Sequence, residues 1–435
     1  MKHIFDPTRL HSWMQRAYPI LAAGVTQAFA VFSFVLAARW LSPAELGTWA
    51  MFLTLASFLE MARMGLVQPA LIHLSAHIAD SERPTLRVAA LLLSMGVGLA
   101  GGLLLSILGL LLNQVWHLPG LTNLLLWYPV IAVVSAPLRW QDAVCTARQD
   151  FGCILRSAIL YGLFYLTLLF LGKFVWGILP LSAWLGLQVP TGILTLLFRQ
   201  KKVLADLGLG ATGFPAFESL RVEVRKIWQF GRFGLGSNLF SMFFQRADVL
   251  LLAMFVAPAG LAAYNVATRI VTWLDFPLNA FSQAFFPKIA AANCRSGAAG
   301  VQQLHLKSVK TLLAFAVPLS VGAFWAADVL VRLIAGDAFP EAAKILRILL
   351  VANLAKPFGR MLGIVLDATG RPAQNFRMVL LSLAANLALL VCLVPTLGTT
   401  GAAIASTVGV LLTTGLGQWY FKTHLPSTSK IQTAA

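Results

Sequence analysis

Long apolar runs alternate with short polar breaks along the whole chain. Runs of about 20 apolar residues have the length of a helix that crosses a bilayer. Twelve such runs lie near 17–38, 46–68, 86–112, 121–145, 153–173, 175–198, 230–256, 259–286, 306–327, 341–368, 374–396 and 398–421. The pattern predicts an all-α polytopic membrane protein. Its most informative stretch is Phe230 to Pro287, which reads as two long helices joined by a tight Pro258–Ala259–Gly260 turn.

Each of these two helices carries one polar line. Gly231, Gly234, Asn238, Ser241, Gln245 and Asp248 recur at steps of three and four on the first, and Asn265, Thr268, Thr272, Asp275, Asn279 and Ser282 on the second. Such steps place residues on one helix face. A face of this kind avoids lipid, because ionisable groups are expensive in hydrocarbon, so it should meet protein or a water-filled cavity. The second span (Ser57, Glu60, Met64, Gln68), the fourth (Ser135, Arg139, Asp142, Thr146, Gln149) and the tenth (Asn353, Lys356, Arg360, Gly363, Asp367) carry similar lines.

Two roles compete for the charged members. Glu60 with Arg63, and Arg139 with Asp142, stand three apart and can neutralise each other within one helix; Asp248 and Arg269 sit at similar depth and could also pair. Lys356 and Arg360 have no acid nearby on their own helix, and unpaired cations in a membrane interior suit a visiting anion. The residues expected to line a substrate path are Arg246, Arg269, Lys356, Arg360, Arg63, Asn238, Gln245 and Asn265. Glu60, Asp248 and Asp275 are candidates for a coupling proton or cation, or merely for holding an arginine.

The chain divides into two halves of six spans, 1–198 and 230–435. Between them 199–229 is a basic linker, with Leu220, Val224, Ile227 and Trp228 at helical spacing among Arg221, Arg225 and Lys226. That pattern predicts an amphipathic helix on the inner membrane surface. The halves match at an offset of 215 residues: Pro43–Ala44 with Pro258–Ala259, Trp49 with Tyr264, Glu60 with Asp275, Gln68 with Gln283. A Pro137/Pro357 match at an offset near 220 is weaker. An even number of spans per half makes this a parallel repeat, a common plan in secondary transporters.

Composition agrees. The chain is 58% hydrophobic and 11% charged, with a mean hydropathy of +0.79, whereas soluble domains carry about 25% charged residues. Its net charge of +17 suggests nucleic acid only until the basic residues are placed. With both termini inside, 22 of the 33 Lys and Arg fall in cytoplasmic segments, five in outer loops and six in spans. That asymmetry predicts an N-in, C-in orientation, with the basic N-terminal segment a cytoplasmic tail before a retained first span.

The remaining chemistry is thin. Cys145, Cys153, Cys294 and Cys392 show no CxxC spacing and imply neither a disulfide framework nor a metal site. His73 and His77 lack a third ligand and read as a solvated turn. Trp116, Trp127, Tyr128 and Trp419 fit interfacial anchors. The Gly98–Gly102 spacing suits helix packing. No phosphate-binding glycine loop and no GxSxG motif occurs, and no cofactor is expected.

The segments LSPAELGTWAMFLTLASFLEMARMGL (41–66) and FGRFGLGSNLFSMFFQRADVLLLAMFVAPAGLAAYNVATRI (230–270) resemble the Wzx-type polysaccharide flippases, within the superfamily that includes the multidrug and toxic-compound extruders. The shared features are a P-x-x-x-G-x-[WY] turn, then R-x-D (here Arg246–Ala247–Asp248) before a second turn, Gly260 through Tyr264. The resemblance implies two pseudo-symmetric six-helix bundles around a cationic lumen. It implies translocation of a polyprenyl-diphosphate-linked oligosaccharide from inner to outer leaflet of a bacterial cytoplasmic membrane by alternating access. Arg246 and Asp248 carry over by motif; Arg63, Arg269, Lys356 and Arg360 rest on the residue pattern alone. The expected partners are the lipid-linked substrate, membrane lipids and polymerase or export proteins, with no nucleic acid. A cation-coupled drug exporter is the runner-up, but it calls for a net acidic interior. A membrane glycosyltransferase or polymerase calls for a large outer loop, and the longest here, near Ala327 to Pro340, is short.

Overall fold

The computed structural model describes residues 7–78, 82–116, 119–177, 179–207 and 215–424. Among them the elements are thirteen helices: α1 (Pro7–Trp40), α2 (Pro43–His77), α3 (Arg83–Trp116), α4 (Pro119–Ala147), α5 (Phe151–Trp176), α6 (Leu181–Gly186), α7 (Gln188–Leu207), α8 (Phe217–Phe255), α9 (Pro258–Gln283), α10 (Phe286–Trp325), α11 (Ala327–Ala335), α12 (Pro340–Ala368) and α13 (Pro372–His424). The fold is all-α and polytopic. Nine described helices are long and apolar enough to cross a membrane, ten if the bent α8 is counted. Two further passes of the expected twelve are accounted for differently. α13 reverses at Gly398, whose φ of +55° favours glycine, and α9 is diluted by its polar line. The sixth expected span is α6 followed by α7. Side chains such as Leu104, Phe174 and Phe198 stand outward and exposed, as lipid-facing residues do.

Local chemistry sets the helix starts. Ser42 and Glu45 form a capping box at α2, the Ser42 N–H donating to Glu45 Oε2 at 2.9 Å and the Glu45 N–H to Ser42 Oγ at 3.3 Å. Pro258 opens α9 and Pro340 opens α12, where the missing N–H costs nothing.

Contacts divide the chain into two compact units: Met1–Leu41 with Met51–Gln245, and Ser42–Ala50 with Arg246–Ala435. In the first, α2, α3, α4 and the start of α8 bury Leu66, Leu71, Leu86, Trp140, Leu220 and Ile227 together. Of the apolar line of the basic central segment, Leu220 and Ile227 are thus covered by protein, whereas Trp228 is exposed. The segment continues without a break into the seventh span. α2 and α8 meet backbone to backbone, since a Cβ on Gly65 would collide with Gly234 and one on Gly231 with Leu66. Gly98 and Gly102 admit the backbone of α4 at Ala132 and Pro129, the packing role expected of them. In the second unit, Leu278, Ile289, Val309, Leu312, Met361 and Val365 form the core of α9, α10 and α12. There Gly47 lies against the Pro258 backbone, where no Cβ fits.

Two expectations fail. Cys145 and Cys153 form a disulfide, their Cα atoms 6.3 Å apart. The tight turn at Gln149, with φ of +58°, returns the chain so that residues on either side of it face each other. Tyr128 is buried and serves the interior, whereas Trp127 and Trp419 are exposed. The side chain of Trp116 lies outside the described residues.

Candidate functional site

Each unit holds a carboxylate in a cage of cations. In the first unit Glu60 faces inward from the middle of α2. Arg63, one turn on, is 2% exposed. Its Nη2 donates to Glu60 Oε2 at 2.5 Å and its Nη1 to the Ala132 carbonyl of α4 at 3.1 Å. Tyr128 donates its hydroxyl within 3.2 Å of Glu60 Oε1. Arg139 brings Nε to 3.9 Å of the same carboxylate. Asp142 takes Arg199 of α7 as partner at 3.7 Å, and Arg199 also donates to Ser157 and Cys153. Glu60, Tyr128, Arg139, Asp142 and Ser157 border a cavity of about 460 Å³ lined also by Ser135, Tyr161 and Gln188. Arg139 is the most open of the charges, its side chain 56% exposed.

In the second unit Asp275 of α9 accepts from Arg360 Nη2 at 2.6 Å, and Lys356 Nζ lies 3.8 Å from the same oxygen. This corrects the view of Lys356 and Arg360 as cations without a partner. Their acid sits on another helix, and no reading confined to one helix face can find it. Two positive charges still share one negative charge. Asp248 accepts from the Tyr264 hydroxyl at 2.6 Å. Arg269 reaches Asn265 Oδ1 at 3.5 Å, and Asn265 is buried. Arg246 is half-buried on α8, two residues before Asp248.

The other expected site residues have local partners within the first unit. Asn238 donates to the Met61 carbonyl at 3.0 Å, and exposed Gln245 donates to Ser241 at 3.1 Å. His73 and His77 stack 4.4 Å apart, with His77 Nδ1 on the His73 carbonyl; no group of metal-ligating residues occurs among the described residues. Residue pattern placed Arg139 on a polar face but missed that it completes the Glu60 cage, and it missed Tyr128 and Arg199. The offset that pairs Pro137 with Pro357 sets Arg139 within one residue of Arg360, which was the available signal.

The helical architecture defines the class first: a multi-pass membrane protein with the fold of the multidrug and toxic-compound extruders. It superposes on an inward-facing multidrug resistance transporter of that family with a TM-score of 0.71, at 15% identity, over 96% of this chain and 99% of that one. The lipid II flippase MurJ in an inward closed conformation matches with a TM-score of 0.69, at 13% identity, over 94% and 88%. The model of the polysaccharide biosynthesis protein family matches residues 35–344, and the chain belongs to that family. A probable low-salt glycan biosynthesis flippase of Haloferax volcanii is 21% identical over 48% of this chain and 44% of its own length. A teichuronic acid biosynthesis protein of Bacillus subtilis is 26% identical over 37% and 33%. The matched segments span less than half the length of these curated relatives.

Proposed function

We propose that the protein is a flippase, not an enzyme, that carries a polyprenyl-diphosphate-linked oligosaccharide from the inner to the outer leaflet of a bacterial cytoplasmic membrane by alternating access. The family assignment and the relatives' names support flipping of a lipid-linked glycan. The observation that carries the substrate class is the Asp275 cluster. Lys356 and Arg360 share one carboxylate, so the cluster keeps a positive charge that a diphosphate can satisfy. Arg246 and Arg269, on the same unit, add further cations, and Asn265 of that unit supplies an amide for sugar hydroxyls. Arg63, bound through its Nη atoms to Glu60 and Ala132, is assigned to holding the first unit together. Asp275, which holds Lys356 and Arg360 through one carboxylate, is taken as the coupling candidate ahead of Glu60 and Asp248.

The test is leaflet sidedness of a lipid-linked oligosaccharide in proteoliposomes, for wild type, Arg360→Ala and Arg246→Ala. Flipping by the wild type that both variants lose supports the reading. Normal flux in well-folded variants overturns the role of these cations. A protein that moves no glycolipid but exports a cationic dye against an ion gradient is a drug exporter, and its positive residues are structural.

A further inference from the structure

The cavity of the first unit has walls of two kinds. Its volume of about 460 Å³ lies within the roughly 300–1,000 Å³ that small-molecule sites occupy. Part of the wall is aromatic. Phe29 rests on α5 at Gly162, where a Cβ would strike the ring, and Tyr161 stacks with Tyr165 at 6.4 Å between ring centroids. Part is hydroxylic. Thr26 Oγ1 donates to the Ala22 carbonyl at 2.8 Å, and Ser57 Oγ to the Thr54 carbonyl at 2.6 Å. Having given their protons to their own helices, these oxygens keep only lone pairs for a guest.

The charges of the same wall do not cancel. Arg63 and Arg139 share Glu60, and Arg199 lies 3.7 Å from Asp142, so three arginines face two carboxylates. The next acids hold cations of their own, Asp150 with Lys202 and Asp206 with Arg148. The surplus falls on Arg139. Arg63 is buried on Glu60 and Arg199 is 7% exposed. The Arg139 side chain lines the cavity, 56% open, with its Nε 3.9 Å from the Glu60 carboxylate and so outside hydrogen-bond range.

We propose that this cavity seats one acidic sugar residue of the transported glycan. Its carboxylate meets the Arg139 guanidinium, its hydroxyls donate to Thr26 and Ser57, and its C–H face packs against Phe29 and Tyr161. This seat, which rests on the reading of the chain as a carrier of a lipid-linked glycan, adds the kind of sugar carried. Arginine takes a carboxylate by two parallel N–H bonds, and aromatic rings bury an apolar face while tyrosine keeps a polar tip. A neutral sugar would leave the surplus charge unanswered. A bare anion would leave the rings and acceptors unused.

The experiment uses the purified full-length protein in nanodiscs and reads melting against the concentration of sodium glucuronate, glucose or sodium acetate at equal ionic strength. Glucuronate should bind about tenfold more tightly than glucose, the worth of one charge-assisted hydrogen bond, and acetate more weakly than glucuronate. Arg139→Gln should remove the preference for glucuronate and leave the response to glucose as it was, a pattern that a merely structural arginine would not give. Ala158→Phe adds a ring to the cavity wall and keeps every charge. It should abolish binding of both sugars, and it decides the matter if Arg139→Gln does not fold. No response to glucuronate, an equal response to glucose or acetate, or glucuronate binding that survives Ala158→Phe overturns the proposal. Binding is read here without flux, so a failure leaves the flipping assay standing, and a wild type that flips no glycolipid fails in that assay alone.

Discussion

Glu60 and Asp275 occupy matching positions of the internal repeat, 215 residues apart, and both receive cations from a proline-bearing helix, α4 or α12. Their cages differ in how the charge is held. Glu60 has an arginine on its own helix, and that arginine is fully buried and hydrogen-bonded across to α4. Asp275 is bound by Lys356 and Arg360, which both reach over from α12; these three side chains keep between 17% and 28% of their surface open, whereas Arg63 keeps 2%. A pair whose cation is buried is costly to break. An interhelical pair with an uncompensated charge can be re-partnered by an anion at little cost. On the proposed reading, positions 215 residues apart serve as a lock in one unit and as a candidate switch in the other.

The sharpest way to break this contrast is Arg63→Ala. It leaves Glu60, 26% exposed beside the cavity, facing a single distant cation and should destabilise the protein by about 1.5–3 kcal/mol, read as a fall of melting temperature in detergent. A variant melting like the wild type removes the lock. Arg360→Ala should do the opposite, lowering the initial flipping rate by about tenfold or more through one lost charge-assisted bond with a smaller change in melting. Arg360→Lys should restore most of the rate, because the requirement is a cation more than a fork. Tyr128→Phe removes one donor from Glu60 and should cost about 1 kcal/mol in the same melting assay. An equal loss of flux would make the first cage part of the transport path.

The smallest effect is a yardstick from an exposed pair. Lys202 Nζ donates to Asp150 at 2.6 Å and holds the carboxyl below the usual range, helped by the Cys153 N–H. A depressed carboxylate stabilises the fold above its unfolded value, near about 4, and loses that contribution as pH falls through the depressed value. Asp150→Asn keeps a good cap for α5 and should cost less than about 1 kcal/mol at neutral pH. The difference from wild type should vanish in acid melts. A difference that persists there assigns the effect to the cap instead.

Much of the architecture was legible because it is local. Span length, the Pro258 turn, the capping box and the polar lines all depend on residues within a few positions of one another. The pairings were not legible, because they join helices far apart in sequence: Arg360 to Asp275, Arg199 to Asp142, Arg139 to Glu60. Tyr128 shows the limit from another side. A tyrosine near a span end is compatible with the interface and with the interior, and only the carboxylate packed beside it decides. Cys145 and Cys153 could have been paired had the left-handed Gln149 been recognised as the pivot of a tight reversal.

The glycine seam of α2 and α8 has a mechanical consequence. Where Gly65, Gly231 and Gly234 bring two backbones together, no side chain of these three residues stands between them. The contact is pinned on both sides, by the Asn238 amide on the Met61 carbonyl and by His73 stacked on Phe230. A single added methyl group at any of the three glycines would therefore act as a wedge, prising apart two pins at once.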